Sequence, residues 1–366
     1  MTTLTRALLV ALAVITACQA ERQPVGGNNV ALSAPWSRPV ALAVLQRAVD
    51  VEDDVLRAEA WTRWIESGDP SIEPLLGRAV MDPSPLVQQS LAKHHADRVG
   101  DALINRAGAD PVALAWLALQ GHKVPAPPGD LWATLFFALQ GHLDAQDALL
   151  AELRAGPDVL EPGVIEILGR SGISGMADAL MTGAEQVDSV LGQDMQLAAL
   201  GLGHGGAADT LLAVDAPLQA AAWGIEIAVR HPTSRATERL QRLARASDHP
   251  LALHARLGLM ALGRGTSADG VEGLKHRDRD TRSWAAVCLR GTRMDRTVLR
   301  DEITLLQGST RDESSRVRVE SVKTLVALAG VESVPLRPPY SDDKPRHVDV
   351  IIASSWLAVS GIQNER

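Results

Sequence analysis

Apolar residues between Asp69 and Ala92 recur with the spacing of two short helices separated by a tight turn. In the second helix Ser84 can accept hydrogen bonds from the free N–H groups of the first turn, and Pro85 occupies the first helical position, where no N–H donor is needed. The residues that then share one face are Leu86, Val87, Ser90 and Leu91. We therefore expect two antiparallel helices, with Leu75, Val87 and Leu91 in the seam between them.

The same pattern returns along most of the chain. An aspartate stands five residues before an apolar position of the second helix in four places, namely Asp50, Asp82, Asp248 and Asp312. The first two are 32 residues apart and the last two are 64 apart, which is twice that period. Second helices also tend to end at glycine, at Gly121, Gly141, Gly203, Gly263, Gly291 and Gly330. Internal repeats of this length indicate stacked helix pairs.

Composition agrees with a helical chain. Apolar residues make up 46% of the 366 residues and aromatic residues only 3%, and alanine and leucine predominate among the apolar ones. Chains of this kind favour helices packed closely on helices. The predicted fold class is therefore all-α.

The repeats resemble HEAT repeats, in which a proline-containing first helix is followed by a corner aspartate and a Val-Arg pair that opens the second helix. The matching residues are Pro74, Asp82, Val87, Arg282, Asp312, Val317 and Arg318. Other residues replace the arginine in three units, namely Gln88, Ala221 and His254. The resemblance implies a right-handed α-solenoid of about ten antiparallel helix pairs over residues 39–330, a fold that mostly serves as an interaction scaffold.

The first residues differ in kind from the rest. Arg6 is followed by an apolar run from Ala7 to Ile15, which is too short for a stable membrane span and is typical of a secretory signal. The sequence Ile15-Thr16-Ala17-Cys18 resembles the lipobox of bacterial lipoproteins. The resemblance implies a signal peptide over residues 1–17, lipidation of Cys18 and a flexible tether over residues 18–38. The alternatives are an ordinary signal cleaved nearby and an uncleaved anchor.

The resemblance to lipoproteins also implies a location in the cell. Gln19 follows the lipidated cysteine where an aspartate is associated with retention in the inner membrane. We therefore expect a lipid-anchored protein of the cell envelope, at the outer membrane if the cell has one. At the other end of the chain, residues 331–346 are predicted to form a proline-rich linker, and residues 347–366 are predicted to form a helix that caps the last helix pair.

Charge divides the chain into an acidic and a basic half. Residues 51–213 hold 23 acidic and 9 basic residues, whereas residues 214–330 hold 14 acidic and 19 basic ones. The basic half suggests a surface for phosphates or for an acidic partner. Its candidate binding residues are Arg235, Arg239, Arg242, Arg245, Arg277, Arg279 and Arg282. The alternative is a solvated helix face whose arginines pair with acidic residues of the same chain.

Residues that could carry chemistry are isolated from one another. His122, His142 and His204 each follow a helix-end glycine and suggest a metal site, or else a favourable contact with the helix dipole. Neither an HExxH motif nor a cysteine cluster accompanies them, and nucleophile elbows and phosphate-binding loops do not occur in the sequence. Cys288 lies in an apolar helical run and is predicted to be a buried thiol. The tryptophans, such as Trp61 and Trp64, are predicted to pack in the core rather than to line a groove on which bases or sugars stack.

The sequence therefore predicts a non-enzymatic scaffold without cofactor, metal or catalytic residues. The expected partner is a protein, with an acidic or phosphate-bearing envelope component as the second choice, and nucleic acid is not expected. The alternative from another class is a HEAT-fold enzyme or nucleic-acid-binding protein, similar to DNA glycosylases or to phycobilin lyases, that would use the arginine-rich half.

Overall fold

The computed structural model describes residues 36–125, 130–157, 160, 162–292, 299–335 and 346–364. These residues form an all-α fold without strands. The predicted signal segment, Cys18, the predicted tether up to residue 35 and most of the predicted linker after residue 335 lie outside the described residues.

The described residues form nineteen α-helices. They are α1 (Arg38–Ala48), α2 (Asp54–Glu66), α3 (Leu76–Val80), α4 (Pro85–Ile104), α5 (Pro111–Leu119), α6 (Asp130–Leu139), α7 (Leu143–Ala155), α8 (Pro162–Leu168), α9 (Met176–Ala184), α10 (Ser189–Gly201), α11 (Gly205–Leu211), α12 (Leu218–Arg230), α13 (Ser234–Arg245), α14 (Ala252–Ala261), α15 (Ser267–Leu274), α16 (Arg279–Gly291), α17 (Arg300–Ser309), α18 (Ser315–Ala329) and α19 (His347–Asn364). Short 3₁₀ helices cover Pro70–Leu75 and Val331–Ser333.

Helix boundaries follow local sequence signals. The carboxylates of Asp53, Asp188 and Asp278 accept backbone N–H groups in the first turns of α2, α10 and α16. At the other ends, five of the six glycines predicted to follow a helix have positive φ, for example 87° at Gly203. The exception is Gly291, which is the last residue of α16.

The first helix of the best-defined repeat is a 3₁₀ helix followed by the short helix α3. Pro74 lacks the N–H that an α-helix over these residues would donate to the carbonyl of Pro70, whereas Pro70 occupies the first helical position, where no donor is needed. Ile72 becomes the buried residue of this segment, whereas Leu75 is only half-buried. Val87 and Leu91 of α4 are fully buried, as expected for the seam.

One contact recurs where second helices begin. A side chain near the start of the helix donates a hydrogen bond to the carbonyl six residues before it. The four examples are Arg57 to Val51 at 2.7 Å, Gln88 to Asp82 at 3.2 Å, Arg282 to His276 at 3.0 Å and Arg318 to Asp312 at 2.8 Å. Gln88 thus keeps this contact although it replaces the arginine, because its amide is also a donor.

The described helices fall into two compact units. Unit 1 combines both ends of the chain, up to Ala102 and from Leu299 onward, and unit 2 is the stretch Leu103–Val298. In unit 1 the last helix, α19, packs against α18 and also against α1 and α2. The helix expected to cap the last pair therefore also covers the first one.

A partly buried ion-pair network joins helices from the early and the late part of the chain in unit 1. Oε2 of Glu59 on α2 lies 2.5 Å from Nδ1 of His347 on α19, and Oε1 lies 3.3 Å from Nζ of Lys323 on α18. Arg63 donates to the same carboxylate at 3.0 Å. Burial alone would raise the pKa of Glu59, but the His347 hydrogen bond and these positive charges hold that pKa well below its usual range.

In unit 2 successive helix pairs pack side by side. The second helices contact one another in sequence, α8 with α10, α10 with α12, α12 with α14 and α14 with α16. Glycine permits one of the closest approaches between first helices, since a Cβ at Gly183 of α9 would overlap the carbonyl group of Leu153 on α7.

Replacing Gly183 with alanine should therefore destabilise unit 2 by about 1–3 kcal/mol or more, because α7 and α9 must separate. Gly308 of α17 is the matched control, since a Cβ there meets nothing within 4 Å. Gly308→Ala should be neutral or stabilising by up to about 1 kcal/mol, as expected for glycine to alanine within a helix. Urea unfolding of both variants tests the difference, and equal effects would contradict this packing.

Candidate docking surfaces

The loops of unit 2 form two opposite ends. Consecutive helices joined by short loops run antiparallel, so the loops alternate between the ends. We name the Asp end by the loop residues 156–157, 185–188, 212–217, 246–251 and 275–278, and the Gly end by the loops 140–142, 169–175, 202–204, 231–233 and 262–266. A Cβ at Gly156 would contact Gln186, and one at Gly203 would contact Thr233, which places these loops together as the alternation requires.

The arginine stripe of α13 is engaged within the unit. Arg235 binds both carboxylate oxygens of Asp209 on α11, at 2.8 and 2.9 Å, and Arg239 donates to the same carboxylate at 2.7 Å. These hydrogen bonds hold the pKa of Asp209 well below its usual range. Arg242 bonds Glu238 at 2.5 Å within α13. The intramolecular pairing weighed as the alternative thus accounts for three of the seven candidate arginines.

The other four candidate arginines lie towards the Asp end. Arg282 is half-buried and donates to the carbonyls of His276 and Arg277. Arg245, Arg277 and Arg279 have exposed side chains, and no ion pair joins them to another described residue. Among the candidate arginines, those with exposed charge therefore lie at the corners that precede α14 and α16.

The exposed apolar residues reveal a different surface, which the pattern of residues along the chain did not indicate. Seven large apolar side chains are exposed among the described residues, and six of them belong to unit 2, between residues 137 and 223. Those six are Phe137, Leu143, Val190, Val214, Leu218 and Trp223.

The same stretch is almost free of positive charge. Residues 124–229 contain fourteen acidic residues but only two basic ones, Arg154 and Arg170. The totals for residues 51–213 and 214–330 do not show this acidic run, because each total also includes basic residues from outside residues 124–229. The signal was thus present in the sequence as a long gap between basic residues.

The exposed apolar residues divide between the two ends of unit 2. Val190, Val214 and Leu218 lie at the Asp end, where α10 and α12 begin. Phe137 and Leu143 lie at the Gly end, and the Phe137 ring packs edge-on against His142 at 5.3 Å. We define the apolar corner patch as Val190, Val214 and Leu218 with the exposed acidic residues Glu185, Asp188 and Asp215.

A further carboxylate, that of Asp194, belongs to the same helix as Val190. Asp194 follows Val190 by one turn of α10, and burial together with the charge of Asp188 raises the pKa of Asp194. A like-charged pair of this kind is relieved by an approaching cation.

Two of the histidines make local structural contacts. Nδ1 of His204 accepts the N–H of Ala207 at the start of α11, and Nε2 lies 3.2 Å from the Asp178 carboxylate. His95 lies at a kink in α4, and its Nε2 is 3.0 Å from the carbonyl oxygen of Thr62. Within the described ranges no group of three or more His, Cys, Asp or Glu side chains could hold a metal ion.

The remaining candidates are mostly core residues. Trp61 and Trp64 are buried and stack on each other with 6.2 Å between ring centroids. Trp284 is buried and donates to the carbonyl of His254 at 3.0 Å. Cys288 is buried, and burial raises the pKa of its thiol. Trp223 of α12, by contrast, is 38% exposed.

Comparisons with protein-family models, with curated proteins and with solved structures found no match for this chain. The resemblances to HEAT repeats and to lipoproteins therefore stay predictions. Among the helices of the described residues, none is both long enough and apolar enough to cross a membrane. Cys18 lies outside this part of the chain.

Proposed function

We propose that the protein is a membrane-anchored, non-enzymatic scaffold in which a HEAT-like α-solenoid docks a protein partner. The concentration of exposed apolar side chains in unit 2 carries this proposal. Contiguous apolar patches on a protein surface mark sites of interaction. Stacked helix pairs supply such a surface because each pair leaves its corners and outer faces open.

The second candidate partner is an acidic or phosphate-bearing component of the envelope. Arg245, Arg277 and Arg279 favour it, since their exposed guanidinium groups make no ion pair with another described residue. This choice retains only the part of the predicted basic surface that is not engaged by Asp209 and Glu238.

The anchor in this proposal is a lipid on Cys18. Trp36 is buried, so the folded body holds the chain from that residue onward. A tether over residues 19–35 would reach at most about 55 Å when fully extended, at about 3.3 Å per residue. The start of the folded body would then stay within about 55 Å of the bilayer surface.

Cys18→Ser should release the protein from the membrane fraction, because the acyl chains supply nearly all of the membrane affinity. Cys288→Ala removes the only other cysteine and serves as the control, which should remain with the membrane. The measurement is the distribution of each variant between membrane and soluble fractions, together with mass spectrometry of the N-terminal peptide. A serine variant that stays with the membrane would refute the anchor.

A further inference from the structure

Helices α10 and α12 pack against each other and begin at the same end of unit 2. Val190 is the second residue of α10, Leu218 is the first residue of α12, and Val214 lies in the loop before α12. Their exposed fractions are 54%, 51% and 54%. Three exposed aliphatic side chains therefore lie at the corners where two neighbouring helices begin.

The charged residues around these side chains are acidic. Glu185 and Asp215 are exposed, and neither forms an ion pair with another described residue. The carboxylate of Asp188 accepts the N–H groups of Val190 and Leu191 and remains exposed on its other side. No lysine or arginine occurs in the sequence between Arg170 and Arg230.

We propose that the apolar corner patch docks a basic, amphipathic segment of a protein partner, in which lysine or arginine alternates with aliphatic residues. The inference rests on the proposed scaffold function and names its partner class. Aliphatic contact supplies affinity because apolar area leaves water, and opposite charges steer the segment and select against acidic competitors.

Charge also decides between a protein and a bilayer as the occupant. Bacterial membranes carry anionic lipids, and the carboxylates of Glu185, Asp188 and Asp215 would be pressed against their phosphates. Like charges at short range oppose such docking. A basic protein segment satisfies both the apolar and the acidic parts of the patch.

Site-specific photocrosslinking in intact cells tests this inference. A photoreactive amino acid replaces Val214 in the full-length chain, and matched probes replace Leu143 and Arg245. Leu143 is 73% exposed but lies at the Gly end, so it controls for nonspecific binding to an exposed apolar side chain. We expect an adduct from position 214 at least ten times more abundant than from position 143, with a crosslinked peptide that is net basic and carries aliphatic residues.

Charge reversal supplies a second readout. Glu185→Lys with Asp215→Lys should reduce the adduct from position 214 at least tenfold, whereas Asp144→Lys with Asp147→Lys on α7 should leave it unchanged. All four positions are exposed, so both double variants should fold.

Each outcome decides the question. The proposal is contradicted if the adduct contains lipid or an acidic segment. It is also contradicted if positions 143 and 214 give equal yields of adduct. An adduct from position 245 alone also overturns it but supports the docking of a partner elsewhere. If none of the three probes captures a protein, the proposed scaffold function fails together with the patch, whereas the anchor is judged separately by Cys18→Ser.

Discussion

Replacing Glu59 with glutamine should destabilise unit 1 by about 1–3 kcal/mol, since removing one partner of a partly buried ion-pair network leaves the other charges with less compensation. The carboxylate is only 18% exposed and is shared by Arg63, Lys323 and His347. We expect the lower part of the range for such pairs, because Lys323 also contacts Glu320 at 3.5 Å.

The loss should extend beyond α2. Glu59 connects α2 to α18 and α19, so amide hydrogen exchange should accelerate in all three helices. Glu66→Gln is the matched control on the same helix, because that carboxylate is 49% exposed and lies 4.0 Å from Arg63. Its effect should be within about 0.5 kcal/mol of wild type. A change confined to α2, or equal effects of the two substitutions, would contradict the role assigned to this network.

Asp349→Asn should stabilise unit 1 at pH 8 by at most about 3 kcal/mol. Asp349 lies in the first turn of α19, and burial raises its pKa to about 6, although the N–H of Arg346 donates to its carboxylate at 3.2 Å. A raised pKa means that the folded state binds this proton more tightly than the unfolded state. The stabilisation is therefore complete below about pH 4 and is lost as the pH rises through about 6.

Unfolding measured between pH 4.5 and pH 8 tests this dependence. Wild type should lose stability over that range relative to Asp349→Asn, whose amide cannot titrate. Asp301→Asn is the control, since Asp301 is an exposed residue in the first turn of α17. Two parallel pH profiles for wild type and Asp349→Asn would show that this carboxylate is not protonated near pH 6. Glu59 acts in the opposite direction, because its lowered pKa confers stability that is lost only in strong acid.

Local features of this fold can be predicted from sequence. A helix start needs a capping side chain within two or three residues, and a helix end needs a glycine at one position, so both signals are short. The capping role of Asp278 and the positive φ of Gly203 were accessible for this reason. The all-α class follows from the same signals and from the alanine- and leucine-rich composition.

The docking of α19 on α1 and α2 could not be predicted in the same way. An apolar helix face fits many partners, and nothing in the sequence states which one is nearest. One signal was nevertheless present, because Val350, Ile351, Ile352 and Ala353 are consecutive apolar residues and all are buried. A terminal cap would expose some of these positions, so four in succession indicate a helix covered on several sides.

The candidate arginines illustrate a second limit. Their positive charge is plain in the sequence, but Asp209, which binds Arg235 and Arg239, lies 26 and 30 residues away. Only the packing of α11 against α13 shows that these arginines form ion pairs between two helices. The apolar corner patch was overlooked for a different reason, since exposure of Val190 or Leu218 depends on where the helices stop.

The closure of unit 1 has a consequence for the order in which the chain folds. Glu59 and His347 are separated by 288 residues, so the first helices leave the ribosome long before their partner exists. At about 5–20 residues per second, synthesis of the intervening chain takes roughly 15–60 s. Throughout that interval the apolar faces of α1 and α2 have no α19 to cover them, and every helix of unit 2 emerges before α19 does. Newly made protein should therefore depend on chaperones through its N-terminal helices, and a ribosome that stalls near the end of the message would leave this surface open.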